Sequence, residues 1–438
     1  MIENVVKFIT SYATEYGLPM PAAPHGRDNH PPIYLPASET KLVVFNKYVE
    51  ACNSYTPVRK SVGLTLFKSI WLSCLPHIRL MEPRSDVCHK CDNFRKLIMD
   101  SVTEEDKLEH TEAYNNHVRK SRQEREFYNA CIKTSAEELA SLPEVPSGPQ
   151  QPCSQEFNTH YTFDFAMSFT LPHQCLQVGP LYFLTTLKVH CFGICCEAAK
   201  KQVNFLFSEG DSIGTDGKKS HGPNNVLSML HYYLCNFSLG EKNAVFHADN
   251  CGGQNKNKTL MHYFAWRVGT GLHREINYHF MEPGHTKCIW DGCFGKVRQL
   301  FRRSDVDTTA QLSSVIERSA KINSSIMYRD THEAEPNFQW YGRDTYFNAV
   351  FKPLVGIRKY HHFRFTHEDP GYVYVKVHVS DAEETRVCLL KRGFSWPPAI
   401  PAFPDRLPAA GFSQERLKYL RDQVRPFVRE AFKANFCP

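Results

Sequence analysis

The chain has 438 residues, of which 42% are apolar and 13% aromatic. That is enough to fill the cores of two to four domains, and it excludes a wholly disordered protein. No apolar run reaches the ~18 residues that a membrane-spanning helix needs, and no basic and apolar leader opens the sequence, so we expect neither a membrane protein nor a secreted one. The net charge of +6 permits a polyanionic partner without requiring one. The sixteen cysteines are expected to be reduced thiols, some of which can bind metal.

Two regions and a linker precede the first long strand. Region 1–75 is predicted to be mostly helical, with helices over 40–52 and 61–75, and such a helix pair can read DNA. Region 76–142 holds a Cys-X-X-Cys pair and then a highly charged stretch, which is typical of an exposed helix. Residues 143–155 are rich in proline and polar residues, which predicts the linker.

Region 156–320 alternates between strand and helix patterns. The predicted strands are 160–169, 188–197, 202–207, 243–247 and 276–280, and the predicted helices are 225–237, 257–268 and 286–303. This order predicts an α/β domain, a mixed sheet with helices on its faces. Three strands before the first helix favour a ribonuclease-H-like arrangement. Region 321–438 is predicted to be an α+β extension with a basic and aromatic segment.

Three carboxylates occupy informative places in this order. Asp164 lies in the first strand, Asp249 directly follows the fourth strand, and Asp291 lies near the start of the last helix. The topology makes the first and fourth strands neighbours, and the head of the helix can pack over both. Three carboxylates brought together would repel unless cations neutralise them, and hard oxygen ligands suit two Mg²⁺ or Mn²⁺ ions. On the same helix, Arg298 and Arg302 are expected to share the face of Asp291, opposite the aromatic residues.

The same three acids also have a purely structural interpretation. Asp249 can begin a turn, Asp291 can cap a helix, and Asp164 can be a solvated strand residue. The third role is the hardest to accept, because Asp164 stands between Phe163 and Phe165 in a core strand.

A second group of residues has the spacing of zinc ligands. Cys88 and Cys91 form a Cys-X-X-Cys pair, which can grip a tetrahedral ion that needs two more ligands. The candidate pairs are His110 with His117 downstream, and Cys74 with His77 upstream. Such a zinc ion would be structural, because a small unit with little core is often organised by its metal.

Basic residues among aromatic ones indicate possible contacts with nucleic acid. The segment 352–365 alternates the two types, although a half-buried strand with charged outward positions explains it as well. The candidate contacts are His285, Arg298, Arg302, Arg358, Lys359 and Arg364. The sequence GTDGKKS lacks the spacing of a phosphate loop, so no nucleotide cofactor is expected.

The segments HADNCGGQNKN, GHTKCIWDGCFGKV and KYHHFRF, with DVCHKC upstream, resemble an uncharacterised family of animal proteins derived from DNA transposons. The likeness runs from about Phe8 to Leu390, and it favours His117 as a zinc ligand. It implies a ribonuclease-H-like transposase core, with an acid triad that maps onto Asp164, Asp249 and Asp291. Many transposases have Glu at the third position, where this chain has Asp.

The leading functional hypothesis is therefore a metal-dependent enzyme that cleaves and joins DNA strands. A domesticated DNA- or chromatin-binding protein without catalysis is the alternative, and a nuclease that does not join strands is a third possibility. DNA is the expected partner, the nucleus is the expected location, and a homo-oligomer is compatible with this class of enzyme.

Overall fold

A computed structural model of the chain describes residues 2–19, 27–81, 88–142, 149–215, 218–286, 289–397 and 403–436. The chain divides into two compact units, Met1–Arg122 and Gln123–Pro438. The boundary falls inside a long helix rather than at the predicted linker, of which residues 143–148 lie outside the described residues. Within the described ranges, no helix is both long and apolar enough to cross a membrane.

The first unit is mostly helical. Its elements in chain order are α1 (Ile2–Tyr16), β1 (Leu18–Pro19), β2 (Ile33–Leu35), α2 (Lys41–Ser54), α3 (Leu64–Cys74), β3 (Ile78–Leu80), α4 (His89–Asp100) and the start of α5 (Glu104–Ala140). Helices α2 and α3 confirm the two predicted helices. Thr40 caps α2 by accepting a hydrogen bond from the backbone N–H of Val43. Phe67 and Trp71 of α3 lie at the centre of the apolar core of this unit.

The second unit contains the rest of the chain. Its strands in chain order are β4 (Gln155–Leu171), β5 (Leu187–Cys196), β6 (Lys201–Ser208), β7 (Ile213–Thr215), β8 (Lys218–Ser220), β9 (Glu241–Ala248), β10 (Glu275–Phe280), β11 (Asn323–Met327), β12 (Trp340–Tyr341), β13 (His362–Thr366), β14 (Tyr372–Lys376), β15 (Thr385–Cys388) and β16 (Arg406–Leu407). Its helices are α6 (Gly179–Tyr182), α7 (Pro223–Asn236), α8 (Lys258–Gly269), α9 (Ile289–Phe301), α10 (Thr309–Ser319), α11 (Arg343–Asn348) and α12 (Gln414–Tyr419).

Nine of these strands form one mixed sheet, in the spatial order β11-β6-β5-β4-β9-β10-β13-β14-β15. Strand β4 is antiparallel to β5, and β5 is antiparallel to β6. On its other side β4 is parallel to β9, which is parallel to β10. Every strand and helix predicted in region 156–320 is present, and so is the α/β class.

Helices cover both faces of this sheet. One apolar core lies between the sheet and helices α7 and α8, and the other lies under α9 and α10. Cys191, Cys195 and Cys196 are buried in these cores, as expected of packing residues. Region 321–438 does not stand apart as an extension, because β11 and β13–β15 lengthen the same sheet at both edges.

Candidate functional site

Asp164 and Asp249 follow the last paired residues of two neighbouring strands by the same number of residues. Strands β4 and β9 are parallel, and the last pair of their register is Thr162 with His247. Asp164 is two residues beyond Thr162 within β4, and Asp249 is two residues beyond His247, directly after the end of β9. Neighbouring strands are about 4.8 Å apart, so this register, continued by two residues, sets the backbones of the two predicted residues side by side.

Asp164 and its aromatic neighbours face opposite sides of the sheet. Phe163 stacks on Tyr278 in the core under α7 and α8, and side chains alternate along a strand, so Asp164 points to the α9 side. The cross-strand partner of Asp164 is Gly193, and a Cβ on that glycine would lie 2.6 Å from the ring of Phe294. Helix α9 therefore packs directly on the strand beside Asp164, where only glycine leaves room.

Asp291 lies in the first turn of α9, one turn before Phe294. The side chain of Asp291 and residues 287–288 lie outside what the structure describes. A side chain of the helix that carries the third predicted carboxylate thus packs on β5, the neighbour of the strand that carries the first.

The loop that follows β9 holds the carboxylate of Asp249 by one oxygen. The side-chain Nδ2 of Asn255 donates to Oδ1, and the backbone N–H of Cys251 donates to the same oxygen at 3.2 Å. Among the described residues, Oδ2 of Asp249 accepts no hydrogen bond and no lysine or arginine forms an ion pair with this carboxylate. One carboxylate oxygen is therefore fixed and the other is available.

Lys256, a lysine of this loop, contacts groups other than Asp249. The ammonium of Lys256 donates to Oδ1 of Asn250 at 2.9 Å and lies 4.8 Å from the ring centroid of Phe280. Burial lowers the pKa of Lys256 to about 8. Lys256 therefore does not pair with the carboxylate of Asp249.

The pKa of Tyr278 on β10 is affected by both carboxylates. Its pKa lies well above the usual value, first because the phenol is buried and then because Asp249 and Asp164 repel the phenolate.

Four buried histidines cross the same face of the sheet, and sequence reasoning missed them. This histidine row consists of His160 on β4, His247 on β9, His279 on β10 and His362 on β13. None is more than 7% exposed. A glutamate closes each end: Glu197 lies 2.9 Å from Nδ1 of His160, and Glu124 lies 3.1 Å from Nε2 of His362.

Short contacts link the row from one end to the other. Nδ1 of His160 lies 2.9 Å from a carboxylate oxygen of Glu197, and its Nε2 lies 2.8 Å from Nδ1 of His247. In the other half of the row, Nδ1 of His279 and Nδ1 of His362 are 3.0 Å apart, and Nε2 of His362 faces Glu124. Burial, followed by repulsion from neighbouring histidines, holds the pKa values of His247 and His279 well below the usual value.

The second half of α5 packs on this row. Glu124, Phe127 and Tyr128 share one side of the helix; the ring of Phe127 lies 4.9 Å from that of His279, and Tyr128 donates to Glu197 at 3.3 Å. The prediction of an exposed helix is therefore wrong for this side of α5. Glu124 is buried there because the sheet offers it a polar partner, His362.

A cysteine and histidine group lies in the first unit. One ligand atom each from Cys88, Cys91 and His117 lie within 4.8 Å of one another, and Sγ of Cys88 is 3.3 Å from Nε2 of His117. The ligand atoms around one tetrahedral zinc are about 3.5–3.8 Å apart. Burial and the two thiols raise the pKa of the adjacent Tyr114. This group has the donor set and spacing to hold a metal ion.

The other predicted zinc ligands lie outside that group. His110 is seven residues before His117, which is about 10.5 Å along a helix, too far for one ion. His77 is bonded instead to Asp28, with 2.5 Å between Nδ1 and Oδ2. Cys74 is exposed at the end of α3.

A model of a protein family described as a domain of unknown function, DUF7869, matches residues 183–382. The match includes Asp249, Asp291 and three members of the histidine row, and it begins after β4 and Asp164. Comparison with curated proteins and with solved structures gives no match.

The predicted nucleic-acid contacts fall into two groups. Arg302, Arg358 and Lys359 are exposed, as a contact with DNA requires. Arg298 is half-buried: its guanidinium lies 5.3 Å from the ring centroid of Phe169 on β4 and donates to the carbonyl of Met167.

The remaining two predicted contacts have structural roles. Arg364 is 2.5 Å from Glu384, on a half-buried strand, as its alternative interpretation expected. His285 is half-buried, its carbonyl accepts a hydrogen bond from Arg125, and burial lowers its pKa.

Proposed function

We propose that the second unit is a transposase-like enzyme that cleaves phosphodiester bonds in DNA and joins DNA strands with the help of divalent metal ions. The observation that supports this proposal is the parallel register of β4 and β9, which ends two residues before Asp164 and two residues before Asp249. Two acids far apart in the chain thus follow equivalent positions of neighbouring strands, and helix α9, on the face to which Asp164 points, carries the third acid in its first turn.

The sheet supports the proposal through its order and directions. The strands β6-β5-β4-β9-β10 are the third, second, first, fourth and fifth of the main series, and only the first three are antiparallel. This is the arrangement that we propose to be ribonuclease-H-like, with β11 and β13–β15 as additions. Acids at the middle of its first strand and the end of its fourth are suited to share ions.

The donors fit the ions proposed. Asp249 offers Oδ2, and Asp164 and Asp291 are further hard oxygen donors of the kind that Mg²⁺ and Mn²⁺ prefer. When bound, such ions stabilise the negative charge that develops on the attacked phosphate and activate the attacking water or 3′ hydroxyl. Strand β4 and the end of the neighbouring strand β9 carry two of the acids, and Gly193 leaves room for Phe294 of α9 beside the first of them.

Incubation of the full chain with labelled duplex DNA tests the proposal. We expect nicking that requires Mn²⁺ or Mg²⁺ and stops with EDTA, and joined products when a strand with a free 3′ hydroxyl is supplied. Nicking without joined products would reject strand joining and identify the protein as a nuclease. DNA binding without nicking at any metal concentration would overturn the enzyme and leave a DNA-binding protein.

We further propose that Cys88, Cys91 and His117 hold a structural zinc ion, with a fourth ligand in addition to these three. Helix α4, which follows Cys88 directly, contains no buried residue, so apolar packing contributes little to holding it in place. The ring of Phe94 does contact those of Tyr114 and His117 at 6.4 and 6.1 Å. A metal bound at its first turn would supply the missing stability.

Metal analysis of the purified protein is expected to find one zinc ion per chain. Changing both Cys88 and Cys91 to Ser should remove the zinc and lower the helical circular dichroism, whereas Cys74→Ser should change neither, because Cys74 is an exposed thiol outside the group. Zinc content that is equal in the double variant and the parent would contradict this site.

A further inference from the structure

The loop between β9 and α8 contains an asparagine that is more firmly held than a loop residue needs to be. Asn255 is 0% exposed. Its backbone N–H donates to the carbonyl of Cys251 at 2.8 Å, and its own carbonyl accepts from the hydroxyl of Tyr278 at 3.1 Å. The residue is therefore fixed from the loop on one side and from strand β10 on the other.

The side-chain amide of Asn255 has only one sensible orientation. Its Nδ2 faces Oδ1 of Asp249, and the flipped amide would place an oxygen against a carboxylate oxygen. This contact and the N–H of Cys251 occupy Oδ1, so the carboxylate cannot rotate freely and presents Oδ2.

The oxygen of the same amide lacks a hydrogen-bond partner among the described residues. Within the part of the chain that the structure describes, Oδ1 of Asn255 is buried and has no hydrogen-bond partner. A buried polar atom without a partner costs free energy and calls for an explanation. Mg²⁺ and Mn²⁺ keep several of their waters when they bind to carboxylates, and such a water is a donor that this oxygen can accept from.

We propose that Asn255 is a positioning residue of the metal site: it orients Asp249 through Nδ2 and accepts a hydrogen bond from a metal-bound water through Oδ1. This inference rests on the proposed function, because it needs a divalent ion at Asp249. Groups of this outer kind change metal affinity by about 10- to 100-fold when removed. Tyr278 takes part by holding the backbone of Asn255.

Titration of the full chain with Mn²⁺ in the absence of DNA tests this role, with the electron paramagnetic resonance signal of the free ion as the measure of binding. The part of the binding that is lost in Asp249→Asn is the binding at the proposed site. We expect Asn255→Ala to weaken that component at least about 10-fold, and Tyr278→Phe, which keeps the ring and its packing, to weaken it several-fold. In nicking assays the Mn²⁺ concentration for half-maximal rate should rise in both variants, while the rate at saturating Mn²⁺ is largely kept.

Asn257→Ala is the matched control. Asn257 caps helix α8 by accepting from the backbone N–H groups of Thr259 and Leu260, so its loss should lower the melting temperature without changing Mn²⁺ affinity. Affinity in Tyr278→Phe and in folded Asn255→Ala equal to that of the parent would overturn the positioning role and leave the enzyme proposal standing. Equal binding by the parent and Asp249→Asn would instead remove the metal site itself.

Discussion

Replacing Asp249 by Asn is expected to lower the rate of Mn²⁺-dependent DNA nicking by about 1,000-fold, since one lost charge-stabilising contact costs about 100- to 1,000-fold and a metal ligand contributes at least as much. Asp164→Asn should have the same effect, because in the proposed site the two carboxylates hold the same ions. Residues that act as a unit are not additive, so the double variant should be little worse than either single one. Initial rates on a labelled duplex at saturating Mn²⁺ measure the effect.

The control for both is Asp330→Asn, the same chemical change on an exposed residue beyond β11. It should nick DNA at the rate of the parent. Both site variants should keep the circular dichroism of the parent, because relief of repulsion between the acids does not unfold the sheet. Nicking that is equal in Asp249→Asn and the parent would reject the proposed site.

Glu197→Ala is expected to lower the free energy of unfolding by about 3–5 kcal/mol, the cost of leaving a buried polar group without its charged partner. Glu197 is 8% exposed and accepts hydrogen bonds from His160, Thr162 and Tyr128. The change therefore removes one end of the histidine row and the contact of α5 with it. Urea unfolding followed by fluorescence measures the loss.

Glu156→Ala is the matched control, because Glu156 is an exposed glutamate on the same strand as His160 and pairs with Lys242 at the surface. It should change the free energy of unfolding by less than about 0.5 kcal/mol. A Glu197 variant as stable as the parent would show that the row does not hold α5 in place.

Much of the second unit could be predicted because its signals are local. Helices α7, α8 and α9 carry apolar faces at helical spacing, and β9 and β10 are short buried strands between them. The additions at the edges, β11 and β13–β15, could not be predicted as parts of the same sheet. These strands pair with residues far away in the sequence, and the sequence of a short strand does not indicate which edge of a sheet it will pair with.

The histidine row escaped prediction for a related reason. Each of its members, taken alone, is one polar residue in an apolar strand. Only the register, which pairs His247 with His279 and His279 with His362, reveals a continuous array. The burial of Glu124 and Tyr128 could not be predicted for the same reason. A helix side that packs on buried polar residues has the same composition as one that is exposed to water.

The zinc ligands show what helix geometry alone can decide. His110 and His117 face the same way on α5, but two turns of helix separate them, so they cannot both bind one ion. Two side chains face the same way when the angle between them around the helix axis is small, but they can bind one ion only when the distance between them is also short.

The two central acids differ in how their backbones are held, and this bears on which ions the proposed site would accept. Asp164 lies within β4 and is paired with Gly193 of β5, so it cannot shift without moving the sheet. Asp249 is the first residue of a loop. If ions of different radius were exchanged in the proposed site, as from magnesium to the larger calcium, the adjustment would fall on that loop, and tolerance of ion size would be a property of the nine residues between β9 and α8.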